Sequence, residues 1–141
     1  MDIVQINKFS EDQVKELYTS VGWEAYTEDM DSLMLALKNS SYVFGIYEDS
    51  QLVAVIRGLT DQVAINYIQD IIVHPKLQGR GIGSLLLQFI NEKYPVRAEV
   101  LVTDDDPGQL AYYKKNGFSN TKDLKEIPLN CFTKYRGLEL K

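Results

Sequence analysis

Apolar residues recur along this chain with two different periods, and the switches between them mark its elements. Val14, Leu17, Tyr18 and Val21 repeat at helical spacing, as a helix with one buried face requires. Ahead of that run Ser10 and Gln13 form a capping box, in which each side chain satisfies a backbone donor at the helix start, and Gly22 ends the helix. Met30, Leu33, Met34 and Leu37 predict a second helix that starts after Thr27, and their stripe is assigned to the core. Ile3 to Ile6 precedes both as a short strand.

The period then shortens. Tyr42 to Tyr47 and Leu52 to Arg57 are β-rich runs joined by the turn-forming Glu48-Asp49-Ser50-Gln51, which predicts a hairpin. After a turn at Thr60-Asp61-Gln62, Val63 to Val73 is a long strand that stops at His74-Pro75. A helix over about Gly81 to Tyr94 carries Ile82, Leu86, Phe89 and Ile90 on one face, and Val96 to Val102 is a further strand. Asp106-Pro107 opens a short helix with a cap followed by a proline at its first position, and Asn116-Gly117 closes it. Phe118 to Leu124 and Glu126 to Tyr135 read as two final strands. The predicted order is β-αα-βββ-α-β-α-ββ, an α+β fold with a mixed, mostly antiparallel sheet, one strand-helix-strand crossover and helices on the sheet faces. No repeat, low-complexity tract or linker interrupts it, so one domain is expected over residues 1–141.

Composition narrows the setting. Of 141 residues 45% are apolar and 25% charged, an ordinary globular balance. Cys131 is alone and has no partner for an internal disulfide, the N-terminus lacks the pattern of a signal peptide, and no apolar run is long enough to cross a bilayer. A cytoplasmic protein with no membrane partner is expected. With 20 acidic residues against 15 basic ones the net charge is −5, which argues against a nucleic-acid partner. That charge leans toward a cationic substrate through steering, although solubility accounts for it equally well.

The chemistry concentrates in Val73-His74-Pro75-Lys76-Leu77-Gln78-Gly79-Arg80-Gly81-Ile82-Gly83-Ser84, where a strand enters a glycine-dense turn that opens a helix. Glycines allow close backbone approach to an anion, the first helical N–H groups have no intrahelical partner, and the helix dipole favours negative charge there. A tight turn without a ligand has the same look. No Gly-x-x-x-x-Gly-Lys-Ser/Thr string is present. A dinucleotide fingerprint counted from Gly79 meets Ser84 where the third glycine belongs, and Glu99, at the distance of a ribose-binding acid, lies inside its predicted strand.

Gln78-x-x-Gly81-x-Gly83 matches without adjustment the Gln/Arg-x-x-Gly-x-Gly/Ala signature of the GNAT superfamily of N-acetyltransferases. Further on, Ala111-Tyr112-Tyr113-Lys114-Lys115-Asn116-Gly117-Phe118 resembles that family's aromatic-Tyr-x-x-x-Gly-Phe segment. Motifs, spacing, element order and length agree over essentially the whole chain.

The resemblance implies acetyl-coenzyme A as acyl donor, with no metal, and transfer to a small-molecule or peptide amine by direct attack. The pyrophosphate would sit on Gln78, Gly79, Arg80, Gly81, Ile82, Gly83 and Ser84. The pantetheine arm would lie like an added strand beside Ile71, Ile72 and Val73, on a strand that in the family typically carries a bulge and splays from its neighbour. A backbone N–H there would stabilise the oxyanion. Tyr113 matches the usual general acid, while Tyr112 is read as packing. The usual Glu falls on Tyr67. That leaves Asp70, the only carboxylate of its strand, as candidate base, although Asp70 and the adjacent Gln69 face the same way only if a bulge intervenes. Asp106, where many relatives have Asn, is read as a helix cap, and His74 as a loop residue. Trp23 and Tyr26 form either an aromatic wall for the substrate or a plug at the core edge. Many relatives form dimers. A non-catalytic acyl-coenzyme A binding or sensing module is the alternative function.

Overall fold

The computed structural model describes residues 1–140, and the chain falls into two compact units, Met1–Val102 and the segment from Thr103 onward. The first unit runs β1 (Val4–Gln5), α1 (Glu11–Ser20), α2 (Glu24–Thr27), α3 (Met30–Asn39), β2 (Tyr42–Glu48), β3 (Gln51–Thr60), β4 (Ile65–Val73), a 3-10 turn (Pro75–Leu77), α4 (Ile82–Lys93) and β5 (Ala98–Leu101). Its five strands lie side by side in sequence order. The first four pair antiparallel, and β4 pairs with β5 in parallel across the α4 crossover.

Alternation along β2 separates two cores. Val43 joins Val55 and Ile72 in a cluster with Val14, Leu17 and Tyr18 of α1 and Leu33 and Leu37 of α3. The next residue, Phe44, meets Phe89 edge to face, and Tyr42 stacks on Tyr94 just past α4. Helices α1 and α3 therefore cover one face and α4 the other, which places Ile82, Leu86, Leu87 and Ile90 of α4 in the second core. The hairpin between β2 and β3 turns on Asp49 and Ser50, both at positive φ (51° and 64°), as a tight two-residue turn compatible with strand twist requires.

Half of the predicted capping box forms. Ser10 Oγ accepts from Gln13 N, but the Gln13 side chain leaves the helix to accept from Leu52 N and donate to Ser50 O, tying α1 to the β2–β3 turn. The stretch after Gly22 contains the extra helical turn α2, with Trp23 immediately before it.

In the second unit α5 (Pro107–Lys115) begins as predicted, with the Asp106 side chain accepting from Gln109 N at 3.0 Å, and it closes at Gly117 (φ 91°). The two final strands expected over residues 118–135 do not form among the described residues. A single 3-10 turn, Thr121–Asp123, stands there, and Ile127, Leu129 and Phe132 are exposed. Strand propensity is realised only against a partner ladder, and Pro128 removes a donor in mid-run.

Candidate active site

Strand β4 changes its facing in the middle. In its ladder with β3, Arg57 pairs with Asp70 but Gly58 pairs with Ile68, so Gln69 is the extra residue of a bulge. Before the bulge Asn66 accepts from Tyr42 Oη at 3.0 Å on the α4 face; after it, Asp70 and Ile72 face α1. Gly58 sits opposite the bulge because any Cβ there would run into Tyr42 Oη and Tyr67 O.

On the other edge of β4, pairing with β5 covers Ile65 to Ile68 and ends at Leu101. His74 N donates to Val53 O at 2.8 Å, which fixes the phase of the antiparallel ladder. By alternation, Ile71 and Val73 turn their N–H and C=O groups away from β3, toward the edge that β5 has left. The Val73 carbonyl accepts from Gln78 Nε2 at 3.0 Å, so the first residue of the glycine signature is folded back onto the strand end. That bond was not foreseen from sequence, since a side chain's return to the main chain leaves no periodic trace.

The turn that follows is bare. His74 Nδ1 accepts from Lys76 N, a loop role, and buried Leu77 anchors the segment. Gln78, Gly79, Arg80 and Gly81 are all exposed. Gly79 and Gly81 adopt φ of 81° and 76°, the left-handed region where a side chain is strained, and a Cβ at either would meet nothing. Gly81 caps α4 with no side-chain hydrogen bond, and the first intrahelical bond runs from Leu85 N to Gly81 O. The N–H groups of Ile82, Gly83 and Ser84 are thus the uncapped start of a twelve-residue helix, with Arg80 beside them. Donors of this kind suit a pyrophosphate.

Asp70 is in a different situation from the one expected of a base. It has no exposure to solvent, and its oxygens take donors from Arg57 Nε, Tyr18 Oη (2.8 Å) and Tyr26 Oη (3.0 Å). All three donors come from the protein itself, and no part of Asp70 is open to solvent. Arg57 also donates to Ser40 Oγ at 3.2 Å, so one buried ion pair links α1, α2, the end of α3, β3 and β4. Burial and the Asp70 charge push the Tyr18 hydroxyl well above the ordinary phenol range and raise that of Tyr26, which keeps both as donors. Sequence reading missed Arg57 and Tyr18. The available signal was one cation and one anion, each alone in an apolar strand run, since such a charge requires a buried partner.

Tyr26, half-buried, sits at the outer end of this cluster. It also accepts from Gln69 Nε2 at 2.8 Å, so the bulge does bring Gln69 and Asp70 to one side. Trp23 packs on the edge of the α1–α3 core with ring centroids 6.1 Å from Tyr18 and 6.0 Å from Tyr26.

In the second unit Tyr113 lies between Tyr112 and Phe118, both edge to face with it at 5.2 and 5.9 Å. Burial first, and Tyr112 second, push its hydroxyl up to about 12, so it stays protonated at neutral pH.

Comparison with known proteins agrees with this geometry. The family pattern of an acetyltransferase (GNAT) domain matches residues 5–136, and the chain belongs to the GNAT acetyltransferase family. An uncharacterized N-acetyltransferase of Pyropia yezoensis is 28% identical over 116 residues, covering 79% of this chain and 66% of the relative. The chain thus spans just under two thirds of the length of that relative. A putative acetyltransferase of Gibberella zeae is 31% identical over 133 residues, covering 79% of this chain and 72% of its own. Among solved structures, a GNAT family acetyltransferase from Streptococcus pneumoniae superposes with a TM-score of 0.77 at 25% identity, covering 96% of this chain and 98% of the other. An aminoglycoside 6′-N-acetyltransferase complexed with coenzyme A shares the fold alone, at 17% identity and a TM-score of 0.67 over 83% and 84% of the two chains. No helix among the described residues is long and apolar enough to cross a membrane.

Proposed function

We propose that this protein is an N-acetyltransferase that moves the acetyl group of acetyl-coenzyme A to a primary amine by direct attack in a ternary complex. The observation that carries the reading is the β4 edge. The Ile71 N–H and C=O and the Val73 N–H are left without a strand partner where β5 parts from β4, the Val73 carbonyl being held by Gln78 Nε2, and the strand leads through the Pro75–Leu77 turn to uncapped helix donors. The pantetheine amides would pair along Ile71 to Val73, and the pyrophosphate would rest on Gln78 to Ser84 beside Arg80. The Ile71 N–H is a candidate oxyanion donor. Tyr113, held protonated by its raised pKa, would return a proton to the departing thiolate. Trp23 and Tyr26 would flank the amine. A single domain over residues 1–141 and a cytoplasmic setting belong to the same proposal, the first supported by a family match over residues 5–136.

The surroundings of Asp70 favour an anchor over a base. Asp70→Asn discriminates: a pH–rate profile that loses its acidic limb restores the base assignment. The same scarcity of a free carboxylate on β4 gives some weight to the second reading, a non-catalytic acyl-coenzyme A module.

Calorimetric titration of acetyl-coenzyme A into wild type and Gly81→Glu tests the donor site, with micromolar binding expected in the first and none in the second. Thiol release with a panel of amines then tests transfer, and Tyr113→Phe is expected to slow it about a hundredfold or more. Binding without thiol release for any amine would leave the sensing module standing instead.

A further inference from the structure

The orientation of one exposed amide is dictated from inside the protein. A phenol has a single proton, and Tyr26 donates its own to Asp70 Oδ1 at 3.0 Å. Asp70 is buried and paired with Arg57, so it is the strongest acceptor within reach of that hydroxyl. A second Arg57 donor, Nη2, lies 3.4 Å from the same phenolic oxygen, which again leaves the hydroxyl proton only the carboxylate to face. Tyr26 Oη can therefore only accept from Gln69. The Gln69 amide must turn its NH2 inward, where Nε2 lies 2.8 Å from Oη. The opposite orientation would set two acceptors against each other. Its carbonyl oxygen, Oε1, is consequently the end of the amide not turned to Tyr26, on an exposed residue.

The position of that oxygen gives it a use. Gln69 is the bulge residue, and it stands one step past Ile68, the last β4 residue paired with β5. It therefore opens the same free edge that Ile71 and Val73 continue. We propose that Gln69 Oε1 is the acceptor that holds the incoming amine by one N–H, with Tyr26 acting as a positioning residue that fixes the amide and the Arg57–Asp70 pair fixing Tyr26. The proposal rests on the acetyl-transfer reading above. A neutral amide oxygen holds an uncharged amine without trapping it as ammonium, and the amine must spare one N–H while its lone pair attacks. The requirement is met by an uncharged amine that keeps at least one N–H.

The test is steady-state thiol release at saturating acetyl-coenzyme A, using the primary amine that wild type turns over fastest among diamines, amino sugars and lysine peptides. Gln69→Leu is expected to raise the KM for that amine about tenfold, while acetyl-coenzyme A affinity and thermal stability stay at wild-type values. Gln69→Glu is expected to move the acidic limb of the pH–rate profile to higher pH, because a carboxylate there favours the ammonium form. Tyr26→Phe frees the amide and gives a smaller rise in KM. Combined with Gln69→Leu it adds nothing further, since its influence passes through Gln69. An unchanged amine KM in Gln69→Leu, or effects that multiply in the double variant, overturns the proposal. If wild type binds acetyl-coenzyme A but acetylates no amine in the panel, the parent reading fails, and this inference falls with it.

Discussion

At Asp70 the chain gives a single carboxylate three donors and shuts it away from water, whereas at Gly81 to Ser84 it starts a helix with no side-chain cap and leaves the preceding turn exposed. Both regions belong to the same strand-turn-helix connection, and they divide its labour. Where polar groups are partnered internally the chain is holding its own elements in place; where they are left open, the unmet hydrogen-bonding capacity is available to a ligand. The contrast also sets the only carboxylate of β4 among the internally partnered groups, despite its proximity to the open edge.

The comparison can be broken most forcefully at Arg57. Arg57→Leu leaves Asp70 buried without its cation, and chemical denaturation should register a loss of about 3–5 kcal/mol. Replacing Asp70 as well, with Asn, should recover much of it, because the uncompensated charge is then gone. The opposite result, a double variant no better than the single one, would mean that the pair contributes more than mutual compensation. Next in size is Gly81→Glu at the bare region. Acetyl-coenzyme A affinity should fall at least about a hundredfold, near 2.7 kcal/mol, while stability drops only by the left-handed strain, about 1–2 kcal/mol. A large stability loss with intact binding would reverse the roles assigned to the two regions.

Tyr18→Phe sharpens the contrast within the cluster. It removes a buried donor to a charged acceptor and should cost about 1.5–3 kcal/mol without altering acetyl-coenzyme A affinity. The smallest effect is on Tyr113 and vanishes at neutral pH. An unfolded tyrosine ionises near pH 10, but the folded Tyr113 does so only at about 12. The unfolded chain therefore binds fewer protons between those values, and stability falls as pH rises through that window. Wild type and Tyr113→Phe should keep a constant stability difference up to about pH 10, then diverge to the disadvantage of wild type.

Much of this was legible in the order of residues. The helix stripes of α1 and α3, the Asp49-Ser50 hairpin, the Asp106 cap and the glycine turn all rest on local spacing, and local spacing is what sequence records. The bulge was legible only as a condition: Gln69 and Asp70 could share a side if one existed. Gly58 supplies the physical reason for its position, but a glycine in a strand does not announce which partner strand gains the extra residue. Arg57 and Asp70 are thirteen positions apart and meet only through that shifted register. Gln13 was read as one half of a reciprocal cap and is used instead on the hairpin, a choice between two nearby donors that tertiary packing decides. The final strands failed for the converse reason. The apolar residues of Glu126 to Tyr135 express a capacity for pairing, and capacity becomes a strand only beside an edge.

Trp23 is the sole tryptophan of the chain, and its ring lies against Tyr18 and Tyr26, the two tyrosines that hold Asp70. Indole emission therefore originates from a single place, at the junction of α1 and α2. Selective excitation of that ring, with tyrosine-to-indole energy transfer as a second channel, makes the protein an optical reporter of its own Asp70 cluster, with no label attached.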